Sequence, residues 1–343
     1  LPGYYNIFML SGSKRIDTPL QTCYNDRRII RENFVMKYFF IINSLSGSGQ
    51  GNPIWHKVHR VLQKQGVSHE AYFTRHKGHG TELARKLASR LPGNRLVVLG
   101  GDGTLNEVLN GLTGVSGITL GYIPVGSGND FARGVRLPSD PKKALMYILK
   151  AERTVPLDLG RVRSNGHTSL FAISSGLGYD AEICYKVSRS RVKKLLNRIR
   201  LGNLIYAFTA VRLLFTYPPC DMAVSVDGQN QIFRRVHFIT GMNLPFEGGG
   251  FRFCPEARPD DGRLSCMVVH DMHPLKILFL FPTAYFGRHT GFRGITILEG
   301  KKIEIRSASP RKIHRDGEYG GTAKRVRFEA GDGDVTFILP GTV

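Results

Sequence analysis

The chain has 343 residues, 41% of them hydrophobic, which is enough to form about two folded domains that need no disulfides or metals to stabilise them. Its 48 Lys and Arg residues against 27 Asp and Glu residues give a net charge of +21, which indicates an anionic partner such as a membrane, a nucleic acid or a phosphorylated substrate. A basic surface that serves only solubility is the alternative. Five widely spaced cysteines without a C-x-x-C pair argue against a disulfide scaffold or a zinc site and fit the cytoplasm, and the apolar runs are too short to span a bilayer.

Residues 1–35 mix Pro, Gly, Asn and Arg without a sustained period, so we interpret them as an N-terminal extension outside the fold, with an ordered arm as the alternative. From Met36 onward, predicted strands and helices alternate in the rhythm of a parallel sheet. The predicted elements are a strand at 37–43, a helix at 53–65, a strand at 69–74, a helix at 79–90, a strand at 95–99, a helix at 104–113, a strand at 118–123, a short helix from Asn129 and a helix at 141–151. The sequence therefore predicts a Rossmann-like α/β domain over residues 36–155.

The pattern changes near Arg153–Pro156, where short alternating strands separated by turn residues begin. Strands are predicted at 155–163 and 168–175. Asn-Gly and Asp-Gly pairs favour tight hairpin turns, and they occur at 165–166, 227–228, 261–262 and 316–317. Residues 156–343 are thus predicted to form an antiparallel β-sheet or sandwich, with the option that the terminal segment packs back on the first domain.

The most informative stretch is VLGGDGTLNEVLNG at 98–111, in which an apolar strand runs through a glycine turn directly into an amphipathic helix. Glycines let a ligand approach the backbone, and the free N–H groups at a helix N-terminus attract phosphate. Thr104 is a candidate cap for this helix, and Asp102 adds a carboxylate able to hold Mg²⁺ beside those phosphates. Leu105 belongs to the apolar face that this helix buries. An ordinary glycine-rich connection is the alternative for this segment alone.

A second loop of the same type occurs at 124–133, where PVGSGNDFAR leads from an apolar strand into a further helix. Ligands of parallel α/β sheets bind outside the carboxyl ends of the strands, so both loops are expected to converge on one nucleotide or phosphate site. The chain has neither G-x-x-x-x-G-K-[ST] nor G-x-G-x-x-G, which argues against a Walker-type ATPase and against a dinucleotide oxidoreductase.

Two apolar and basic stretches interrupt the second half. Residues 186–200, KVSRSRVKKLLNRIR, carry seven basic residues and no acidic one and run into the apolar segment 204–215, and residues 273–289 contain ILFLF. A basic helix joined to an apolar face can lie on an anionic membrane. A core helix with a solvated flank is the alternative for either stretch alone. Because two such stretches occur, we favour the membrane.

GGDGTLNEVLNG at 100–111, PVGSGNDFAR at 124–133 and the glycine run at 248–250 resemble the diacylglycerol kinase catalytic family, and within it the soluble bacterial YegS-like lipid kinases. The similarity extends from about residue 36 to the end and includes Asn43 with its following glycine, Asn243, the segment PEARPDDGRL at 255–264 and Asp316-Gly317-Glu318. Two positions differ from the family pattern, Ser44 in place of proline and Ser127 in place of threonine. The resemblance implies an NAD-kinase-like α/β domain followed by a β-sandwich.

The resemblance also implies the site residues. The residues that would line the ATP site are Asn43, Gly47, Thr74, Gly101, Asp102, Gly103, Thr104, Leu105, Asn106, Glu107 and Ser127. Asp261, with the backbone carbonyls of Arg258 and Arg263, would form a structural Mg²⁺ site, although an Asp-Gly turn alone explains the same residues. Asp316 would accept the proton of the attacking lipid hydroxyl, and Glu318 would hold the geometry or a second metal contact.

A weak base such as aspartate suffices for this reaction, because phosphoryl transfer depends more on positioning and charge neutralisation than on basicity. The sequence thus predicts an ATP- and Mg²⁺-dependent lipid kinase, peripheral at the cytoplasmic face of the inner membrane, with a homodimer allowed. A soluble NAD kinase-like enzyme is the first alternative. A basic nucleic-acid-binding or regulatory protein is the second, although no recognition motif for specific nucleic acid is present. The sequence does not name the lipid.

Overall fold

A computed structural model describes residues 36–151, 153–190, 202–331, 333 and 335–340, with the side chains of 202–205 excluded. The predicted extension at 1–35 and residues 191–200 of the basic stretch lie outside the described residues.

The first domain is built on a six-stranded sheet with helices on both faces. Its strands are β1 (Tyr38–Ile42), β2 (His69–Phe73), β3 (Arg95–Gly100), β4 (Thr119–Pro124), β5 (Thr154–Leu157) and β16 (Val335–Ile338). Its helices are α1 (Gly51–Lys64), α2 (His79–Leu87), α3 (Asp102–Gly111), α4 (Asp130–Gly134) and α5 (Pro141–Lys150). The strand order is β2-β1-β3-β4-β16-β5, and all neighbours are parallel except β5 with β16. The central strands are buried on both faces, as parallel strands covered by helices are.

The predicted α/β domain with a parallel sheet is confirmed, with small shifts at element ends. Helix α3 begins at Asp102 instead of Thr104, since Gly101 is the extended residue before it. The strand predicted at 155–163 is two strands, because the chain leaves the first sheet after Leu157. Between them Asp158 accepts hydrogen bonds from the N–H groups of Gly262 and Gly333, both at 2.7 Å. The expected domain boundary therefore falls inside β5.

The second domain contains a ten-stranded antiparallel sheet that folds into a sandwich. Its strands are β6 (Gly160–Ser164), β7 (His167–Phe171), β8 (Ser174–Gly178), β9 (Cys220–Val226), β10 (Gln229–Val236), β11 (Phe238–Met242), β12 (Leu264–Val269), β13 (Ile295–Gly300), β14 (Lys302–Arg315) and β15 (Glu318–Glu329). Strand β14 pairs with β9 along its first half and with β8 at its end, with a register shift between Arg306 and Arg311. This change of partner encloses an apolar core that includes Phe171, Met222 and Phe328.

Three helices of the described residues lie outside this sandwich, α6 (Tyr179–Arg189), α7 (Gly202–Thr216) and α8 (Pro274–Tyr285). Leu213 and Leu214 of α7 are buried in a cluster that also contacts Ile277 and Leu280 of α8. The outer faces of both helices remain exposed and apolar, with Phe208 68% and Phe279 78% exposed, and Phe286, directly after α8, is 69% exposed. Within the described part of the chain, no helix combines the length and apolarity needed to cross a membrane.

Candidate active site

The loops that follow β1, β3 and β4 contact one another at the carboxyl edge of the first sheet. A Cβ atom added to Gly126 would lie 2.9 Å from the Cα atom of Gly101, so glycine at position 126 lets the two loops approach this closely. A Cβ atom added to Gly47 would lie 2.2 Å from the carbonyl oxygen of Val125, and Gly47 also has a φ of +61°. The strand-end loops therefore meet at one place.

Asp102 links the two glycine loops through its carboxylate. Its Oδ2 and Oδ1 atoms accept hydrogen bonds from the backbone N–H groups of Asp130 (3.1 Å) and Phe131 (3.3 Å) at the start of α4. Burial, and then the charge of Asp130, raise the pKa of Asp102 to about 7. The Asp102 side chain thus holds the loops together.

Asp130 continues this chain of contacts into the second domain. Its Oδ2 accepts a hydrogen bond of 2.8 Å from the N–H of Gly249, in the triple-glycine loop, and its Oδ1 pairs with Arg133 at 2.6 Å. Burial raises the pKa of Asp130 as well. Three loops, two from the first domain and one from the second, are therefore joined by two buried carboxylates.

Gly128 marks an oxygen-lined space that fits a hard cation. A Cβ atom added to Gly128 would lie 3.5 Å from Oδ2 of both Asp102 and Asp130. Nearby in the chain, the buried Oδ1 atom of Asn129 has no hydrogen-bond partner among the described residues. Two mutually repelling carboxylates and an unpartnered amide oxygen are the donor chemistry that Mg²⁺ prefers.

A cavity of about 560 Å³, here called the groove, opens beside these loops. It is lined by Asn43, Leu45, Ser46, Thr74, Arg75, His76, Lys77, Gly78, Thr81, Gly101, Gly103, Thr104, Asn106, Glu107, Asn110, Arg315, Glu318 and Tyr319. Seven of the predicted nucleotide-site residues line it, namely Asn43, Thr74, Gly101, Gly103, Thr104, Asn106 and Glu107. Gly47, Asp102, Leu105 and Ser127 are not among its lining residues.

Leu105 is the one predicted nucleotide-site side chain that the structure places in the apolar core. Its side chain is 1% exposed, and its N–H donates to the carbonyl of Gly101 inside the helix. A nucleotide contact by Leu105 stays a prediction, and the structure leaves it to the backbone, because the side chain packs in the core. Ser127 lies exposed at the tip of the second loop, outside the groove.

Side chains around the first loop fix the start of α3. Asn43 donates a hydrogen bond of 3.0 Å to the hydroxyl of Thr104, and the N–H of Gly101 donates to the hydroxyl of Ser46 at 3.2 Å. Glu107 accepts hydrogen bonds from the N–H groups of Gly78 and Gly80, at 2.7 and 3.0 Å. These bonds supply acceptors for backbone N–H groups at the N-terminus of α2. Glu107 thus ties the loop after β2 to α3.

Asp316 lies at the junction of the two domains, in the two-residue turn of the β14–β15 hairpin. The φ angles of Asp316 (+44°) and Gly317 (+78°) are both positive, as a tight hairpin turn requires. The Asp316 carboxylate accepts four hydrogen bonds of 2.7–3.0 Å, from the side-chain amide of Asn106 and from the N–H groups of Ala172, Ile173 and Ser174. Burial raises the pKa of Asp316 and outweighs these four donors, which lower it.

Glu318 is the carboxylate that faces the groove. It forms an ion pair with Lys77 at 2.5 Å, and a Cβ atom added to Gly103 would lie 3.7 Å from its Oε1 atom. The second domain therefore places a half-exposed carboxylate beside the glycine loop of the first domain. Asp316, by contrast, is not among the lining residues of the groove.

A buried ion network holds the strand that carries this turn. His314 is 0% exposed, and its Nε2 atom lies 3.0 Å from Asp180 and 3.1 Å from Glu247. Burial alone would lower the pKa of His314, but the two carboxylates raise it well above its usual value. His314 thus links β14, the start of α6 and the segment next to the triple-glycine loop through its two carboxylate partners.

The predicted structural metal site lies at an exposed turn next to Asp158. The N–H of Arg263 donates to Asp261 at 2.9 Å, and the N–H of Asp158 donates to the carbonyl of Pro259 at 2.7 Å. Burial raises the pKa of Asp261, and the carboxylates of Asp260 and Asp158 add to the rise. Clustered carboxylates next to backbone carbonyls suit a hard cation, so the residues fit the expected group.

Sequence reasoning missed three residues of this site, Lys77, Asp130 and Arg315. Lys77 belongs to the run Thr74-Arg75-His76-Lys77-Gly78, where three basic residues follow a strand of the parallel sheet, and this run was a readable signal. Arg315 immediately precedes the Asp-Gly turn. Asp130 gave no signal of its own, because its partner Gly249 is distant in sequence.

A parallel α/β domain and an antiparallel β-sandwich that meet at a glycine-lined groove form a two-domain NAD kinase-like fold, and the family match makes the protein a phosphotransferase. Residues 37–162 match the diacylglycerol kinase catalytic domain, and residues 175–337 match the YegS C-terminal NAD kinase beta sandwich-like domain. The chain belongs to the diacylglycerol kinase catalytic family.

Named relatives agree with this assignment. The chain is 31% identical over 290 residues to the candidate lipid kinase YtlR of Bacillus subtilis, covering 83% of this chain and 94% of that protein. It is 30% identical over 283 residues to the diacylglycerol kinase of the same organism, covering 79% of this chain and 87% of that one. The crystal structure of a candidate diacylglycerol kinase from Bacillus anthracis shares the fold, with a TM-score of 0.69, 24% identity and coverage of 90% and 98% of the two chains.

Proposed function

We propose that the protein is an ATP-dependent lipid kinase that transfers the γ-phosphate of ATP to a hydroxyl group of a diacylglycerol-like membrane lipid. The observation that carries this proposal is the position of Glu318 beside Gly103, which brings a proton-accepting group to a phosphate-type loop. The names of the relatives support a lipid as the acceptor.

The first domain supplies the nucleotide contacts. The N-terminus of α3 and the backbone of Gly101 and Gly103 face the groove, where free N–H groups and the helix dipole favour phosphate. Asn43 and Thr74 line the same wall. A bound Mg²⁺ would neutralise charge on the phosphates, and Asp102, Asp130 and Asn129 are the residues whose oxygens fit it.

Glu318 is the residue that accepts the proton of the lipid hydroxyl. It is half-exposed in the groove, where it forms an ion pair with the Lys77 ammonium. Asp316 has all its acceptor positions filled by four donors, so it acts as a positioning residue that fixes the turn. This assignment exchanges the roles that the sequence prediction gave to Asp316 and Glu318.

Asp261 would hold the structural metal together with the carbonyls of Arg258 and Arg263. A bound cation would neutralise the negative charge of the clustered carboxylates Asp158, Asp260 and Asp261. The site stabilises the segment that Asp158 links to both domains.

The exposed faces of α7 and α8 are the surface that contacts the membrane. Leu275, Phe279 and Phe286 are exposed apolar residues on or next to α8. Lys276 and Arg288 are exposed beside them, so apolar insertion combines with attraction to anionic lipids. This surface supports a location at the cytoplasmic face of a membrane, where the lipid acceptor would lie.

Incubation of the protein with labelled ATP, Mg²⁺ and vesicles tests the proposal directly. Vesicles of phosphatidylglycerol and phosphatidylcholine, with and without diacylglycerol, are compared with vesicles of a total bacterial lipid extract. We expect transfer of label to a lipid that carries a free hydroxyl. Absence of label in every lipid, or phosphorylation of NAD in a vesicle-free reaction, overturns the proposal.

A further inference from the structure

Arg315 occupies a position in the groove that is set by the hairpin turn. Arg315 and Glu318 are direct cross-strand partners on either side of Asp316 and Gly317. Because partners across a two-residue turn project to the same face of the hairpin, both side chains line the groove. The turn that places Glu318 near Gly103 thus also places Arg315 among the residues that line the groove.

The donors of the Arg315 guanidinium are incompletely used. Its Nη1 atom donates to the hydroxyl of Ser169, but its Nε atom is buried and has no acceptor among the described residues. A Cβ atom added to Gly320 would lie 3.0 Å from that Nε atom, so the glycine makes room for the guanidinium. A buried donor without a partner is costly, and its retention requires an explanation such as a ligand.

The carboxylates nearest to Arg315 interact with other groups and form no ion pair with it among the described residues. Asp316 is engaged by four other donors, and Glu318 pairs with Lys77. None of the ion pairs between described residues includes Arg315. Burial lowers the pKa of Arg315, whereas the Asp316 and Glu318 charges raise it, so an additional anion in the groove would stabilise the charged form.

We propose that Arg315 binds a phosphate group in the groove, next to the carboxylate that receives the hydroxyl proton. A guanidinium offers planar, paired donors that match phosphate oxygens, and such a group stabilises charge on a phosphoryl group during transfer. The phosphate comes either from the end of the nucleotide triphosphate or from the head group of the acceptor lipid. The inference rests on the proposed function in taking the groove as the nucleotide site.

Binding of a non-hydrolysable ATP analogue and of ADP to the full chain, with Mg²⁺ and without lipid, tests the nucleotide source. The variants are Arg315→Met, Arg315→Lys and, as a matched control, Arg325→Met, which removes an exposed arginine of the same hairpin. We expect Arg315→Met to lower the affinity for the ATP analogue at least tenfold and the affinity for ADP less than twofold. Arg315→Lys should recover part of the lost affinity. Thermal unfolding confirms that each variant is folded.

The acceptor source is tested by turnover of phosphatidylglycerol against diacylglycerol in matched vesicles. A loss in Arg315→Met that is confined to phosphatidylglycerol, with nucleotide binding unchanged, assigns the phosphate to the acceptor. Equal weakening of ATP analogue and ADP, an equal effect of Arg325→Met, or wild-type behaviour with both nucleotides and both lipids overturns the inference. If the wild type binds the ATP analogue but labels no lipid, the proposed function fails while the nucleotide measurement still decides the role of Arg315.

Discussion

Asn106 of α3 donates a hydrogen bond of 2.7 Å to Asp316, which joins the phosphate-type loop of the first domain to the hairpin turn of the second. The same amide donates to the carbonyl of Leu170 at 3.0 Å, and Asn110 one turn later also bonds Leu170. One face of α3 thus fixes the second domain. Glu318 reaches Gly103 because its turn is held at this junction.

Replacement of Glu318 by Gln tests the proton acceptor. The amide keeps the size of the side chain but loses its basicity, so we expect lipid kinase turnover to fall by about 10²-fold or more, in line with the usual contribution of general-base catalysis. Unfolding temperature should stay near the wild-type value, because the side chain is half-exposed. Glu299→Gln, at an exposed glutamate of β13, is the control and should retain full turnover. Turnover of Glu318→Gln within twofold of wild type would exclude Glu318 as the base.

Replacement of Asp316 by Asn tests its positioning role. The new NH₂ group would face backbone N–H groups whose hydrogen bonds the carboxylate now accepts. Each buried donor left without an acceptor lowers the stability of the folded state by about 1–3 kcal/mol. We therefore expect the free energy of unfolding in urea to fall by roughly 2 kcal/mol, together with reduced turnover. Unchanged stability with abolished turnover would return the base role to Asp316.

The raised pKa of Asp102 predicts a pH dependence of stability. The folded value of about 7 lies above the ordinary value of 3.8, so the native state binds the proton more tightly than the unfolded chain. The stability from this group is present below about pH 4 and is lost as the pH rises to about 7. Between pH 5 and pH 7, the unfolding free energy of the wild type should fall more than that of Asp102→Asn, by on the order of 2 kcal/mol. Equal pH slopes for the two proteins in Mg²⁺-free urea titrations would contradict the assignment.

Replacement of Gly128 by Ala tests the oxygen-lined space. The methyl group would lie 3.5 Å from carboxylate oxygens of Asp102 and Asp130, where a cation and its waters would sit. We expect the Mg²⁺ concentration for half-maximal turnover to rise several-fold, with little change in stability. Gly291→Ala, at an open position with no atom within 4 Å of the new methyl, is the control. An unchanged Mg²⁺ dependence would show that no catalytic Mg²⁺ binds beside Gly128.

Charge placed on the apolar face of α8 tests the membrane surface. Phe279 and Phe286 are 78% and 69% exposed, so Phe279→Asp and Phe286→Asp should leave the fold intact. Both should reduce sedimentation with phosphatidylglycerol vesicles by about tenfold, since apolar insertion is lost and the new charge is repelled. Ile232→Asp, at an equally exposed site on β10, is the control. Equal vesicle binding by all three variants would place the membrane contact elsewhere.

The alternation of apolar strands and helices from Met36 and the glycine turn at 100–103 were sufficient to predict the parallel sheet and the phosphate-type loop. These features are local, because a buried strand and a helix N-terminus are encoded by consecutive residues. The motif Asp316-Gly317-Glu318 was likewise readable, and the structure shows that it forms a hairpin turn after which Glu318 lines the groove.

The surroundings of each residue in that motif depend on the tertiary structure. Consecutive residues specify which loops carry glycine, carboxylate and hydroxyl groups, because those groups and the turns that present them are local. Packing of the two domains gives the Asp316 carboxylate hydrogen bonds from Asn106 and from the β7–β8 turn, while Glu318 and Arg315 line the groove. The physical reason is that the state of a buried carboxylate depends on donors 142–210 residues away, whose approach only the packed domains establish.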